Sequence, residues 1–190
     1  MKIKRFTLGL IQTNLYLITK NKEAILIDCE EPEIILNYLT KNKLKLKAIL
    51  LTHGHFDHIE GLSTLKQKAN ALLYINKKDL HYLSIKPDRF LKNNQTLNFN
   101  SIKIKAIFTP GHTKGSTSFY LEKENTVFTG DTLFKEGVGR ADLPDSNLND
   151  LKNSLKKLFK LPLKTRALPG HGDETTLENE ISYLKTKLRI

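Results

Sequence analysis

The sequence contains one cysteine, few arginines and no long apolar segment. The single cysteine, Cys29, excludes a disulfide framework within the chain and is consistent with a reducing cytosol. No apolar run approaches the roughly 20 residues that cross a bilayer, and residues 1–19 lack the small-residue cleavage site of a signal peptide. Low-complexity segments are missing as well. We therefore expect the 190 residues to form one globular domain in the cytoplasm, without membrane attachment.

The formal net charge of +11 raises the question of a nucleic-acid partner. The excess comes from lysine, whereas phosphate and base recognition favours the planar guanidinium of arginine. The lysines are spread along the chain, and no aromatic residues alternate with them to form a stacking groove. We expect a lysine-rich surface in contact with solvent and no nucleic-acid partner.

Apolar strands alternate with helices along the chain. Strands are predicted at residues 2–8, 13–19, 24–29, 47–52, 71–75, 95–99, 102–108, 116–121, 126–130 and 165–170. Helices are predicted to begin at Pro32, after Ile59, at residue 77, near Leu148 and after a capping box formed by Thr175 and Glu178. The alternation predicts an α/β protein.

Four of these strands are followed directly by side chains that can bind a metal ion. Loops at strand ends are where a rigid sheet presents functional groups. Five of the six histidines lie in such loops, and the exception, His81, falls in a predicted helix and is expected to be an ordinary surface or half-buried residue. The candidate ligands are His53, His55, Asp57, His58, His112, Asp131 and His171.

The number of candidate ligands predicts two metal ions. One zinc ion takes about four ligands, and a catalytic zinc leaves one of those positions to water. Seven ligands suit two ions that share a carboxylate, and Asp131 can bridge because it has two oxygens. His53 and His55 lie two residues apart on an extended segment and face the same side, whereas Asp57 and His58 follow where the chain turns. Without clustered cysteines, a catalytic site is favoured over a structural one.

These motifs resemble those of the metallo-β-lactamase-fold hydrolases, and within them the glyoxalase II-like branch. "THGHFDH" matches the family's H-x-H-x-D-H motif, and "TPGHTKGS", "FTGDTLF", "GVGRADLP" and "LPGHGDETT" match its later motifs. The resemblance implies a four-layer αββα sandwich. It also implies one metal ion on His53, His55 and His112, a second on Asp57, His58 and His171, Asp131 as the bridge, and Asp28 as a residue that orients the site.

The sequence departs from the family pattern in two places. The family's early motif commonly has Pro-Gly after the aspartate, whereas this chain has "DCEEP". Full-length glyoxalase II also carries a C-terminal helical domain that supplies much of the glutathione-binding surface, and this sequence has one helix after His171. We predict a single metallo-β-lactamase-fold domain over residues 1–190 that lacks the glutathione-binding domain.

The predicted function is metal-dependent hydrolysis of an acyl thioester, of the hydroxyacylglutathione hydrolase type. Two divalent ions lower the pKa of a shared water toward neutrality, and the bridging hydroxide would serve as nucleophile, positioned by Asp57. A thiolate, with a free pKa of about 8.5, leaves without a strong general acid. Zinc is the default expectation for a His/Asp site, and iron and manganese accept the same ligands.

Three other functions are weighed against this one. A phosphodiesterase or nuclease of the same fold would use two metal ions but has no RNA-binding appendage in this sequence. A persulfide dioxygenase-like oxidoreductase would hold a single iron with part of the ligand set, and such enzymes also carry a Gly-Arg-x-Asp segment. A non-catalytic metal-binding module would lack one of the seven ligands, and none is missing.

Arg140, in "GVGRADLP", is a candidate for binding an anionic group of the substrate. The alternative, weighted equally, is a structural salt bridge with Asp142 or Asp145.

Overall fold

Two six-stranded β-sheets form the framework of the protein, in a computed structural model that describes residues 1–188. The first sheet contains β1 (Lys2–Leu8), β2 (Thr13–Lys20), β3 (Glu23–Ile27), β4 (Lys45–Leu50), β5 (Leu72–Ile75) and β6 (Arg89–Phe90), in that order. The second contains β7 (Thr96–Phe99), β8 (Ile102–Phe108), β9 (Thr117–Leu121), β10 (Thr126–Gly130), β11 (Arg166–Pro169) and β12 (Thr175–Thr176), again in sequence order.

Four α-helices cover the outer faces of the sheets. They are α1 (Pro32–Lys41), α2 (Leu62–Ala69), α3 (Leu148–Leu158) and α4 (Leu177–Leu188), and two short 3₁₀ helices span Phe56–His58 and Lys77–Tyr82. Helices α1 and α2 pack on the first sheet, and α3 and α4 pack on the second. The predicted αββα sandwich is confirmed. In the part of the chain that the structure describes, no helix is long and apolar enough to cross a membrane.

The alternation of side chains along each strand explains the three layers of core. In β2, Tyr16 and Ile18 face the second sheet, whereas Leu15 and Leu17 face α1 and α2. Successive side chains of a strand point to opposite faces, so a strand buried on both faces must be apolar throughout. This is why the central strands of the first sheet have continuous apolar sequences.

Several predicted boundaries are wrong, among them the end of the strand predicted at residues 24–29, which ends at Ile27. The strand predicted at residues 47–52 begins at Lys45 and ends at Leu50. The capping box of Thr175 and Glu178 does not form, because Thr175 still pairs with Ala167 in the sheet and its hydroxyl donates to Glu180. The backbone N–H of Asn179 instead donates to the Thr176 hydroxyl, 3.4 Å away, so the cap lies one residue later.

The sheet directions bring the ends of five strands to one edge of the sandwich. Strands β3 and β4 are parallel, β10 and β11 are parallel, and β8 runs in the same direction as β10 because both are antiparallel to β9. At this edge the two sheets are joined by backbone hydrogen bonds, from Thr117 N to Thr52 O at 2.8 Å and from Asn14 N to Gly170 O at 2.7 Å. Loops from both sheets therefore meet at this edge.

We expect the interface between the sheets to dominate stability. Phe119 is fully buried at this interface. The substitution Phe119→Ala should therefore lower the free energy of unfolding by about 3–5 kcal/mol. The matched control Phe90→Ala removes a side chain that is 43% exposed on β6 and should cost less than about 1 kcal/mol. Urea denaturation of both variants measures the difference, and equal losses would contradict the assignment of the core.

Candidate metal centre

The structure brings all seven candidate ligands together at the edge where the strands end. His53, His55, Asp57 and His58 follow β4, His112 follows β8, Asp131 follows β10 and His171 follows β11. Three overlapping groups have ligand atoms within 4.8 Å of one another: His53 with His55 and His112, His53 with His58 and Asp131, and Asp57 with His58 and His171. The cluster thus has two halves that meet at Asp131.

The first half is made of three imidazoles, which we call the three-histidine half: His53, His55 and His112. The Nδ1 of His112 lies 2.9 Å from the backbone oxygen of Arg140, so it donates there and leaves Nε2 with a free lone pair. That Nε2 lies 2.9 Å from Nδ1 of His55. Two imidazole nitrogens this close need a proton or a cation between them, because two lone pairs would repel.

The second half combines carboxylates with imidazoles. Asp57 Oδ2 lies 3.2 Å from Nε2 of His58 and 3.2 Å from Nε2 of His171, and it accepts a hydrogen bond from the Thr13 hydroxyl at 2.9 Å. The strand bridge between Thr13 and His171 fixes the first sheet against the loop that carries this histidine. The β2 strand therefore helps to orient the only carboxylate of the H-x-H-x-D-H motif.

Asp131 lies between the two halves. Its Oδ1 is 3.4 Å from Nε2 of His58, and its Oδ2 is 3.5 Å from Nε2 of His112 and 3.6 Å from Nε2 of His171. The carboxylate of Asp131 thus lies close to imidazoles of both halves, and both of its oxygens take part.

Burial and the mutual fields of these groups set their charges. Burial raises the pKa of Asp131, but the imidazoles of His58 and His53 outweigh it, and the net pKa lies below the usual value. Burial lowers the pKa of His58, but the carboxylates of Asp28 and Asp131 raise it by more, so that the net pKa lies well above the usual value. For His53, burial and the neighbouring His58 both lower the pKa. The cluster therefore favours ionised carboxylates balanced by positive charge.

Three buried polar atoms show that the cluster fits a cation. His53 Nε2, His58 Nε2 and Asp131 Oδ1 have no hydrogen-bond partner among the described residues. Buried polar atoms without partners are costly and rare, and these three belong to one of the groups with converging ligand atoms. Metal ions with affinity for nitrogen and oxygen, one in each half, would satisfy all three atoms. The site thus suits divalent metal ions.

Asp28 lies beside the cluster and contacts His58. Its Oδ1 accepts from the backbone N–H of Thr52 at 2.7 Å, and its Oδ2 accepts from the Thr52 hydroxyl and from Nδ1 of His58, both at 2.8 Å. Such a bond fixes the ring of His58 and directs Nε2 into the cluster. Asp28 has a φ of 59°, a left-handed conformation that is costly for aspartate and typical of residues held at functional sites.

Arg140 forms a salt bridge with Asp142, one of the alternatives weighed from the sequence. Its Nε and Nη2 donate to the two carboxylate oxygens of Asp142, each at 2.9 Å, and both side chains are about two thirds exposed, at 68% and 69%. Asp145 has other partners and binds Lys114 and His81. Binding of a substrate anion by Arg140 stays a prediction.

Three residues at the site were missed from the sequence. Thr13 donates to Asp57 from a strand 44 positions away, and Asp79 and Tyr82 contact the histidine loops from the 3₁₀ helix Lys77–Tyr82. No local pattern marks any of them, because each depends on a contact between distant segments. Only the tertiary contacts between these segments, which single-sequence patterns do not contain, reveal them.

Comparison with known proteins agrees with this geometry. Residues 8–171 match the model of the Metallo-beta-lactamase superfamily. The chain therefore belongs to this superfamily, and it is a metallo-hydrolase with the metallo-beta-lactamase fold.

Among curated proteins, the chain is 34% identical to a probable metallo-hydrolase, YqgX of Bacillus subtilis, over 95% of this chain and 94% of that protein. It is 36% identical to a hydroxyacylglutathione hydrolase of Francisella tularensis subsp. novicida, over 90% of this chain and 68% of the relative.

Solved structures include close matches of different kinds. The B3 metallo-beta-lactamase BLEG-1 has a TM-score of 0.91 at 32% identity, covering 95% of this chain and 97% of that one. TTHA1623, in a di-iron-bound form, has a TM-score of 0.85 at 36% identity, covering 93% and 96%. ETHE1 from Myxococcus xanthus has a TM-score of 0.88 at 28% identity, covering 96% and 83%.

Gly170 allows the metal cluster to close. A Cβ at this position would lie 2.3 Å from Asp131 Oδ1 and 2.8 Å from Cε1 of His58. We expect Gly170→Ala to displace these side chains and to weaken metal binding by about tenfold or more. Gly137→Ala is the matched control, since its nearest neighbours would be 3.9 Å away. Metal content after dialysis measures the effect, and an unchanged content in Gly170→Ala would contradict it.

Proposed function

We propose that the protein hydrolyses acyl thioesters of the hydroxyacylglutathione type, using two divalent metal ions. His53, His55 and His112 would hold one ion, and Asp57, His58 and His171 the other, with Asp131 shared between them. The observation that carries this proposal is the position of Asp131, whose two oxygens lie within 3.6 Å of imidazoles from both halves.

The ions would supply Lewis acidity for the acyl carbonyl and for the attacking water. The chain itself would orient the reacting groups: Thr13 fixes the carboxylate of Asp57, and the backbone oxygen of Arg140 fixes the ring of His112. Burial, together with the neighbouring Asp28 and Glu30, raises the pKa of the Cys29 thiol, which is fully buried. This argues against a covalent mechanism through Cys29, since a thiolate is required for attack.

Two considerations favour a thioester as the substrate. The departing thiolate needs no strong general acid, because its free pKa is about 8.5. The relative of 36% identity is a hydroxyacylglutathione hydrolase, and the chain spans 68% of its length. We therefore propose a small acyl thioester as the substrate. We also propose that the enzyme is cytoplasmic and that zinc is its default metal.

An iron-dependent oxidation is the second candidate. A structural neighbour of 36% identity binds two iron ions, and iron accepts the same imidazole and carboxylate ligands as zinc. This chain also has the Gly-Arg-x-Asp segment at 139–142 that is expected of persulfide dioxygenase-like enzymes. The metal content and the reaction products separate the two candidates.

The first test combines metal analysis with a thioester assay. Protein purified without chelators should contain about two metal ions per chain by mass spectrometry, and it should release free thiol from hydroxyacylglutathione. Asp131→Asn should lose both properties, because the proposed bridge is then a neutral amide that binds metals weakly. A single iron per chain, with oxygen uptake on a persulfide and no thioester hydrolysis, would replace this proposal by the second candidate.

The second test concerns Asp57, which we propose positions the attacking water as well as binding metal. Asp57→Asn should retain much of the ion in the three-histidine half, whose ligands are intact, and bind the other ion more weakly. The kcat should fall by roughly 10²–10⁴, on the scale of a removed catalytic group. Steady-state kinetics at saturating metal measure this. A variant with near-normal kcat and one ion lost would show that the first ion suffices.

A further inference from the structure

Asp79 is a fully buried carboxylate close to the metal cluster that is not one of its seven candidate ligands. It lies in the 3₁₀ helix Lys77–Tyr82, which directly follows β5 and is capped by Asn76, whose side chain accepts from the backbone N–H of Lys78. Its Oδ2 accepts from the backbone N–H of Gly54 at 3.1 Å and from the Thr113 hydroxyl at 2.7 Å. Both partners are neutral groups.

These two partners flank all three ligands of the three-histidine half. Gly54 lies between His53 and His55, and Thr113 directly follows His112. His53 and His55 belong to the loop after β4 in the first sheet, and His112 belongs to the loop after β8 in the second sheet. A single carboxylate oxygen therefore ties together the two loops that must stay in register for three imidazoles to share an ion.

The surroundings leave Asp79 little freedom. A Cβ added at Gly115 would lie 2.2 Å from Asp79 Oδ1, so the carboxylate packs directly against that backbone. The same 3₁₀ helix places the ring of Tyr82 over Gly54, where a Cβ would come within 2.6 Å of it, and 5.4 Å from the ring of His55. The loop is thus held by a hydrogen bond on one side and by packing on the other.

A buried carboxylate is an expensive way to connect two loops. Burial raises the pKa of Asp79 although the Thr113 hydroxyl and the backbone of Gly54 lower it. Apolar side chains of similar volume often stabilise a fold as well as a buried charge does. What an apolar side chain cannot do is accept two directed hydrogen bonds and so fix the orientation of both loops.

We propose that Asp79 is a positioning residue for the three-histidine half, acting on His53, His55 and His112 through Gly54 and Thr113. The inference rests on the proposed metal binding and deepens it. Asp28 has the corresponding arrangement in the other half, where it accepts from Thr52 and from Nδ1 of His58. The Thr52 hydroxyl also lies 3.0 Å from Nδ1 of His53, so Asp28 reaches the three-histidine half through Thr52 as well as the second half through His58.

The test measures the affinity of each half for zinc rather than enzyme activity. Zinc is titrated into metal-free full-length protein in competition with a chromophoric chelator, which resolves two binding steps. Asp79→Asn should weaken one step by about 10–100-fold, as expected for the loss of a residue that orients ligands, and change the other by less than about threefold. In an Asp57→Asn background, where the three-histidine half dominates binding, Asp79→Asn should weaken the remaining step by the same factor.

Two matched controls separate positioning from general destabilisation. Asp88 also accepts a backbone hydrogen bond, from Leu73 at 2.7 Å, and contacts Lys66, but it lies away from the histidine loops. Asp88→Asn should lower the melting temperature and leave both zinc affinities unchanged. Thr113→Val should reproduce the effect of Asp79→Asn, and Thr113→Ser, which keeps the hydroxyl, should restore wild-type affinity.

The outcomes distinguish failure of the inference from failure of the proposed function. If the wild-type chain binds two zinc ions and Asp79→Asn weakens both steps equally or neither, the positioning role is wrong and the dinuclear site stands. If the wild-type chain binds no zinc, cobalt or iron, the proposed function fails and the inference fails with it. Selective loss in Asp79→Asn and Thr113→Val, with recovery in Thr113→Ser, supports the positioning role.

Discussion

The rest of the structure depends on one costly arrangement, in which carboxylates and imidazoles are packed together where water scarcely reaches. Burial acts against the charge of Asp131 and of Asp57, and the neighbouring imidazoles reverse that effect on both pKa values. Such groups repel or separate unless a rigid framework holds them. The three layers of apolar core provide that framework, since they fix each strand end from which a ligand projects.

The edge shared by the two sheets converts this framework into a site. Hydrogen bonds from Thr117 to Thr52 and from Asn14 to Gly170 join the sheets beside the cluster, so that ligands from both sheets keep a fixed separation. Gly170 permits the backbone of one loop to approach Asp131 closely. Hydrogen bonds to buried aspartates then orient individual loops. The apolar core, the hydrogen bonds that join the two sheets and the side-chain contacts of the loops thus each restrict the positions of the ligands, as a preorganised site requires.

The fold and the ligands define a metallo-hydrolase, whereas the substrate depends on less constrained parts of the molecule. Relatives with the same fold include a hydroxyacylglutathione hydrolase and a B3 metallo-beta-lactamase, which shows that one framework supports different reactions. Arg140 belongs to such a part, because its side chain is exposed and pairs with Asp142 at the surface. Specificity is expected to reside in such loops around the strand ends that carry the ligands.

The sequence by itself indicated most of the strands and the seven side chains that converge, because these depend on local patterns, whereas the αββα layers were implied by the resemblance of its motifs to a known family. Apolar runs identify buried strands, and a ligand that directly follows a strand end is positioned by that strand. The tertiary structure alone decided which distant residues orient the ligands. Thr13 reaches Asp57, and Asp79 reaches Gly54 and Thr113. The cap of α4 at Thr176 also depended on tertiary structure, since strand pairing of Thr175 overrode the local capping pattern. Contacts between segments far apart in sequence leave no periodic signal in the chain.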